Sequence, residues 1–76
     1  MTSWRSVVST DLGAALAGTG EVEAAADALS RALELAARAG GEGEVRRVRT
    51  IRQRHLSRWA DAPAVRQLDE RLIASL

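Results

Sequence analysis

Apolar residues recur along the chain with a period of about 3.6 positions, the spacing of an α-helix that packs one face against a core. This pattern predicts four helices, over residues 3–18, 21–39, 44–59 and 63–75. Strict alternation of apolar and polar residues, typical of a half-buried strand, occurs nowhere. The sequence therefore predicts an all-α fold. The apolar positions of the four helices are Trp4, Val7, Val8, Leu12, Ala15 and Leu16; Val22, Ala25, Ala26, Leu29, Ala32, Leu33 and Ala36; Val45, Val48, Ile51, Leu56 and Trp59; and Val65, Leu68, Leu72 and Leu76.

The expected helix ends carry capping and turn residues. Ser3 is suited to cap the first helix. The run Gly18-Thr19-Gly20 predicts a turn before the second helix, and Gly40-Gly41 predicts its end. Asp61 and Pro63 separate the last two helices, Asp61 as a capping side chain and Pro63 as a residue of the first helical turn.

With 76 residues the chain is one small domain, near the lower limit at which a single apolar core supplies enough stability. It contains no cysteine and one histidine, so neither a disulfide framework nor a Cys/His zinc site is available. The run from Trp4 to Ser9 is too short and too polar for a signal peptide or a membrane span. We therefore expect a soluble cytoplasmic protein without membrane contact, metal or cofactor.

Two motifs at the start of the chain match an internal repeat. Leu12-Gly13-x2-Leu16 and Ala25-x3-Leu29 follow the tetratricopeptide pattern with aliphatic residues at its aromatic positions. Small residues at Gly13, Ala25 and Ala32 allow two antiparallel helices to approach closely, while the leucines fill the seam between them.

A shift of 39 residues, from Leu12 to Ile51, brings a second copy of the pattern into register, with Ala64-x3-Leu68 over the earlier Ala25-x3-Leu29. The usual repeat is about 34 residues, and a lengthened connection over residues 40–44 would absorb the difference. The second copy is degenerate, because Arg52 and Arg71 stand where small residues are expected. A degenerate repeat is typical of the end of an array.

On these motifs the chain resembles a tetratricopeptide-repeat segment, specifically the C-terminal repeat region of bacterial helix-turn-helix transcriptional regulators. Residues 11–37 carry most of the similarity, and residues 59–72 resemble the closing hairpin; Ser9 and Ala37 depart from the pattern, which has Trp and Pro there. The resemblance implies one domain over residues 1–76, built from two stacked antiparallel hairpins, repeat one about 6–39 and repeat two about 45–76. It also implies a protein or peptide interaction or assembly role, without a DNA-reading domain in this chain.

Catalytic chemistry finds little support in the composition. The chain has no Cys, Tyr or Lys, and His55 is its one histidine, so few pairs of nucleophile and base are available. Gly40-Gly41-x-Gly43 lacks the lysine and the preceding strand that a phosphate-binding loop needs. We therefore predict a protein that is not an enzyme. His55 shares the predicted face of Val48 and Ile51, which favours a packed, hydrogen-bonded histidine over a metal ligand.

The resemblance also implies a ligand surface, because the first helix of each hairpin lines a concave groove in that family. Helical spacing independently places the groove residues of the third helix within one arc, turned away from Val48 and Ile51. Two guanidiniums and an amide there suit a carboxylate, such as that of an acidic peptide. A solvated face, or a contact with the acidic half of another copy, is the alternative. The candidate residues are Arg46, Arg49, Thr50 and Gln53, with Thr10 and Asp11 from the first helix.

Charge is unevenly distributed although the net charge is only +1. Residues 1–43 hold three arginines and six acids, a net charge of −3, and residues 44–76 hold eight arginines and four acids, a net charge of +4. The halves can therefore attract each other, pair head to tail between two copies, or bind an anionic partner. A basic helical nucleic-acid-binding domain is the alternative function, although the arginines surround the helix without interleaved aromatic residues. The arginines of the third helix are Arg46, Arg47, Arg49, Arg52, Arg54 and Arg58.

Three large side chains complete the expectations. Trp4 and Trp59 are predicted to anchor packing, and Trp4 is also suited to contact a missing upstream hairpin. Arg52 points towards the apolar face. This predicts either an ion pair with an acid, Asp11 or one from the second helix, or an aliphatic stem that packs while the guanidinium reaches water; the second is slightly favoured.

Because the face of Trp4, Val7 and Val8 lacks polar capping residues, we expect a homodimer or dependence on upstream repeats.

Overall fold

The computed structural model describes residues 4–75 and is helical throughout its regular elements, which confirms the predicted all-α fold. Four α-helices form a stack of helical hairpins, and the third packs beside the first two as expected. The predicted cap Ser3 and the apolar residue Leu76 lie outside the described residues. The helices are α1 (Trp4–Gly18), α2 (Val22–Ala39), α3 (Glu42–His55) and α4 (Pro63–Ala74), with a short 3-10 helix at Ser57–Trp59.

The pair formed by α1 and α2 is antiparallel and closely packed. Ser6, near the start of α1, donates a 3.0 Å hydrogen bond from its hydroxyl to the carbonyl of Ala32, just past the middle of α2. Further along α1, Gly13 lies against Leu29 and Ala25. A Cβ at Gly13 would come within 2.6 Å of Leu29 Cδ2, so only glycine fits this contact without a shift. The predicted role of Gly13 as a close-approach residue is confirmed.

The orientation of α1 differs from the prediction. Its buried residues are the small ones, Ser6, Thr10, Gly13 and Ala17. These lie at intervals of three and four positions and so form one stripe on the helix. Leu12, predicted to fill the seam, is exposed instead. The physical reason is space, because the backbones approach so closely at Gly13 that the seam accepts only small α1 side chains.

The third helix is shorter than predicted. It begins at Glu42, within the segment expected to form a long connection, and its α-helical hydrogen bonding ends at His55. The chain then tightens into a 3-10 turn in which the amide of Trp59 donates to the carbonyl of Leu56. This break allows Leu56 to be fully buried and Trp59 to pack against the core. The predicted packing role of Trp59 is confirmed.

The fourth helix packs mainly on α2. Val65, Leu68 and Leu72 are buried as predicted. The backbones of α3 and α4 approach each other less closely than those of α1 and α2, so side chains make most of their contact. Pro63 occupies the first turn of α4 as expected, whereas the capping position is Ala62 and not Asp61.

The two connections between the first three helices are short and use left-handed glycines. Gly20 has φ 80° and Gly40 has φ 69°, conformations that favour glycine because it has no Cβ. The amide of Gly41 donates a 2.7 Å hydrogen bond to the carbonyl of Ala36 and closes the end of α2. The turn at residues 18–20 and the helix end at Gly40-Gly41 are therefore confirmed.

The close approach of α1 and α2 predicts opposite effects for two glycine-to-alanine changes. Gly13→Ala should lower the free energy of unfolding by about 1–3 kcal/mol, because the added methyl overlaps Leu29 in a packed seam. Gly43→Ala is the matched control: its Cβ would meet no atom within 4 Å, and alanine should stabilise α3 by up to about 1 kcal/mol. Urea denaturation measures both. Equal stabilities of the two variants would contradict the tight seam.

Candidate interaction surface

The most distinctive surface of the molecule lies on α1, opposite its buried stripe. We call it the α1 outer face and define it by Trp4, Val8, Leu12 and Ala15. Trp4 is 73% exposed, and Val8 and Leu12 are each 52% exposed. Their spacing of four positions places them along one side of the helix, so they form a continuous apolar strip.

This strip revises the predicted role of Trp4. Within the described residues Trp4 does not anchor the core, since its side chain is mostly exposed. The sequence contained the signal needed to foresee this, because Ser6, Thr10, Gly13 and Ala17 form a small-residue stripe at helical spacing. A helix with small residues on one face and large apolar residues on the opposite face can bury the first face and leave the second exposed to solvent.

The opposite end of the stack is polar. Outside α1, Ile73 is the one large apolar side chain that is exposed within residues 4–75. The exposed positions of α3 are instead polar or charged apart from Gly43, with Arg46, Arg47 and Arg54 among them. The two ends of the molecule therefore differ in character, one apolar and one solvated.

Two residues of the predicted carboxylate surface are engaged within the fold. Thr10 is fully buried, and its hydroxyl donates a 2.8 Å hydrogen bond to the carbonyl of Ser6. It is therefore not available to a ligand in this arrangement. Asp11 is exposed and pairs with Arg47, which also contacts Glu44. The hydrogen bond to Asp11 and the two nearby carboxylates raise the pKa of Arg47.

The other predicted residues lie on α3. Arg46 and Arg49 line a cleft of about 220 Å³ together with Glu42, Val45 and Ser75. Arg49 is half-buried and places Nη2 3.5 Å from the carbonyl oxygen of Leu72, in the last turn of α4. Thr50 and Gln53 are exposed and do not line this cleft. The structure thus brings the two arginines together but separates them from Thr10.

Arg52 makes the best-formed ion pair of the molecule. Its Nε and Nη2 lie 2.6 and 2.8 Å from the two carboxylate oxygens of Asp69. The side chain of Arg52 is only 14% exposed, so the guanidinium does not reach freely into water as slightly favoured from the sequence. Its partner comes from α4, not from α1 or α2. The hydrogen bond to Asp69 raises the pKa of Arg52.

In the part of the chain that the structure describes, residues 4–75, two ion pairs join the acidic half to the basic half. Asp11 pairs with Arg47 between α1 and α3, and Glu34 pairs with Arg71 at 2.9 Å between α2 and α4. The first of the three explanations for the charge division, attraction between the halves, is therefore present in the fold. The ion pairs with Asp11 and Asp69 occupy two of the arginines that suggested nucleic-acid binding, Arg47 and Arg52.

Scans against models of protein families, curated proteins and solved structures found no match to this chain. The geometry of its own surfaces therefore carries the functional argument. None of the helices within residues 4–75 is long and apolar enough to cross a membrane.

Trp59 and His55 lie at the other end of α3 from the arginine cleft. Trp59 borders a cleft of about 400 Å³ between the starts of α2 and α4, and the guanidinium of Arg58 lies 5.5 Å from the centre of its ring. His55 is exposed, so the packed histidine expected from the sequence is wrong. The end of the α-helix at that residue explains the error, because Leu56 enters the core next to it.

The geometry of the Arg52–Asp69 pair predicts a measurable coupling. A double-mutant cycle with Arg52→Met and Asp69→Asn should give about 1 kcal/mol, because both hydrogen bonds form and Arg52 is mostly buried. The exposed pair Glu34–Arg71 is the control, with an expected coupling no larger than about 0.5 kcal/mol. Chemical denaturation of the single and double variants measures both cycles. A coupling no greater for Arg52–Asp69 than for the control would contradict this ranking.

Proposed function

We propose that this chain is a non-catalytic protein-interaction or assembly module whose principal contact surface is the α1 outer face. The observation that carries the proposal is the exposure of Trp4, Val8 and Leu12 on one side of α1. A small protein gains nothing in its own stability from apolar side chains held in water. Contiguous exposed apolar strips are characteristic of binding surfaces, and tryptophan is enriched among residues that dominate binding energies.

The resemblance to tetratricopeptide repeats supports the same proposal. In an array of such repeats each hairpin buries one face against its neighbour, and a terminal face without polar residues needs a partner. The α1 outer face has this character, whereas the outward residues of α3 and α4 are mainly polar. We propose by this analogy that the chain serves as the scaffolding or sensory repeat part of a regulator, in the cytoplasm.

Leu12→Gln should separate binding from stability. Because Leu12 is exposed, its replacement should change the free energy of unfolding by no more than about 0.5 kcal/mol. It should nevertheless reduce binding of an apolar dye such as ANS and reduce any association of the chain. Leu68→Gln is the matched control, since Leu68 is fully buried and the same change there should cost about 3 kcal/mol or more.

Two results of that comparison would argue against the proposal. If Leu12→Gln destabilised the protein as much as Leu68→Gln, the leucine would belong to the core. If dye binding and association both stayed at the level of the unmodified chain, the α1 outer face would not be a contact surface.

A secondary binding role is favoured by the cleft that Arg46 and Arg49 line. We propose that it accepts a carboxylate of an acidic peptide, because its lining offers the hydrogen-bond donors of two guanidiniums against the single carboxylate of Glu42. The contact of Arg49 with the Leu72 carbonyl is long, at 3.5 Å, so an incoming carboxylate competes with a weak interaction. Exposure of the site to solvent limits the expected affinity.

Replacing Arg46 and Arg49 together by Gln should weaken binding of an acidic peptide several-fold, as measured by isothermal titration at low salt. The control replaces Arg54 and Arg66 by Gln, which removes the same charge at exposed positions outside the cleft. Equal weakening in both variants would show that only overall charge matters. Circular dichroism checks that loss of the Arg49 contact leaves the helices intact.

A further inference from the structure

We propose that the partner of the α1 outer face is a second copy of this chain, paired through a two-fold axis that passes beside Val8 with the two α1 helices antiparallel. This inference rests on the proposed function and names the partner that covers the α1 outer face. Three features of the molecule bear on this pairing: the difference between its two ends, the positions of the apolar residues along α1, and the size of the exposed strip.

The difference between the ends selects the symmetry. Head-to-tail stacking would place the α1 outer face of one copy on the α3 and α4 end of the next, where Ile73 is the one large apolar side chain exposed within residues 4–75. That contact would bury charged side chains of α3 against apolar ones, at a cost in desolvation. Pairing α1 with α1 buries apolar surface on both sides. A self-complementary surface of this kind is what a two-fold dimer requires.

The spacing along α1 then fixes the register. Trp4 and Leu12 each lie four residues from Val8, which is about 6 Å along the helix axis. In an antiparallel pair centred on Val8, the two Val8 side chains meet, and Trp4 of each copy comes level with Leu12 of the other. A large indole therefore lies beside a smaller aliphatic chain at both ends of the contact, and the two tryptophans do not compete for one space.

The size of the strip sets the strength of the expected dimer. Four exposed side chains on one helix offer a patch on the order of 300–400 Å², whereas a standard interface buries about 800 Å² on each partner. The dimer should therefore be weak and reversible, with a Kd on the order of tens to hundreds of micromolar. Its strength should depend most on the central residue, which contacts its own counterpart.

Val8→Cys tests the axis directly, because the chain has no other cysteine. Two cysteines beside a two-fold axis can reach the Cα separation of about 4.4–6.8 Å that a disulfide needs. Under mild oxidation at about 100 μM, Val8→Cys should form covalent dimers about tenfold faster than Ala24→Cys, which places the thiol at an exposed position on α2. Sedimentation of the unmodified chain at concentrations up to about 100 μM should show an average mass that rises with concentration.

The direction of pairing is tested by mixing Trp4→Cys and Leu12→Cys chains. The antiparallel register predicts that the mixed 4–12 disulfide forms in excess of the statistical share, while a parallel pair predicts 4–4 and 12–12 disulfides. An excess of the latter two would overturn the register. A monomeric mass at all concentrations, together with equal rates for Val8→Cys and Ala24→Cys, would overturn the dimer itself.

Failure of the dimer and failure of the interaction module give different results. If the chain remains monomeric but Leu12→Gln still lowers dye binding at unchanged stability, the α1 outer face remains an apolar contact surface and only the second copy is rejected as its partner. If dye binding is also unaffected, both proposals fail together.

Discussion

The contact between Gly13 and Leu29 determines most of what this molecule can do. Because a Cβ at position 13 would overlap the leucine side chain, α1 and α2 approach more closely than two helices with ordinary side chains in their seam. The neighbouring α1 positions must then be small as well, and two of them, Ser6 and Thr10, are polar. Their hydroxyls remain favourable inside because both donate to backbone carbonyls. With the small face of α1 turned inward, its large apolar residues point to solvent, so the exposed strip is a direct consequence of the seam.

On the other side of α2 the core is built differently. There the largest buried side chains come from α3, the turn after it and α4, with Val48, Leu56 and Leu68 all fully buried. The backbones of α3 and α4 stay further apart, and the Arg52–Asp69 pair spans part of the distance between them. The molecule therefore combines a close, small-residue seam at one end with a wider, side-chain-filled packing at the other.

Much of this architecture could be predicted from apolar spacing. The four helices, the buried positions of α2 and α4 and the glycine turns follow from local patterns, which act within one or two helical turns. The orientation of α1 was mispredicted because the apolar pattern was read from its large residues. In the structure the close contact with α2 buries the small residues of α1 instead. The pairing of Arg52 with Asp69 joins residues 17 positions apart on different helices, and no local pattern specifies it. The candidate carboxylate surface was also only partly foreseen. It was expected to include Thr10 of α1, but packing between helices buries that residue, and no local pattern indicates this.

The seam also has a consequence for how such a sequence can change over time. In most small proteins the large core side chains tolerate exchange among similar sizes, but here the most constrained positions of the first hairpin carry almost no side chain at all, as at Gly13, Ala25 and Ala32. At Gly13 every other residue is larger, and at Ala25 and Ala32 only glycine is smaller than the residue present, so few exchanges fit the seam. Distant relatives would therefore be recognised better by glycine and alanine at these positions than by shared leucines and valines.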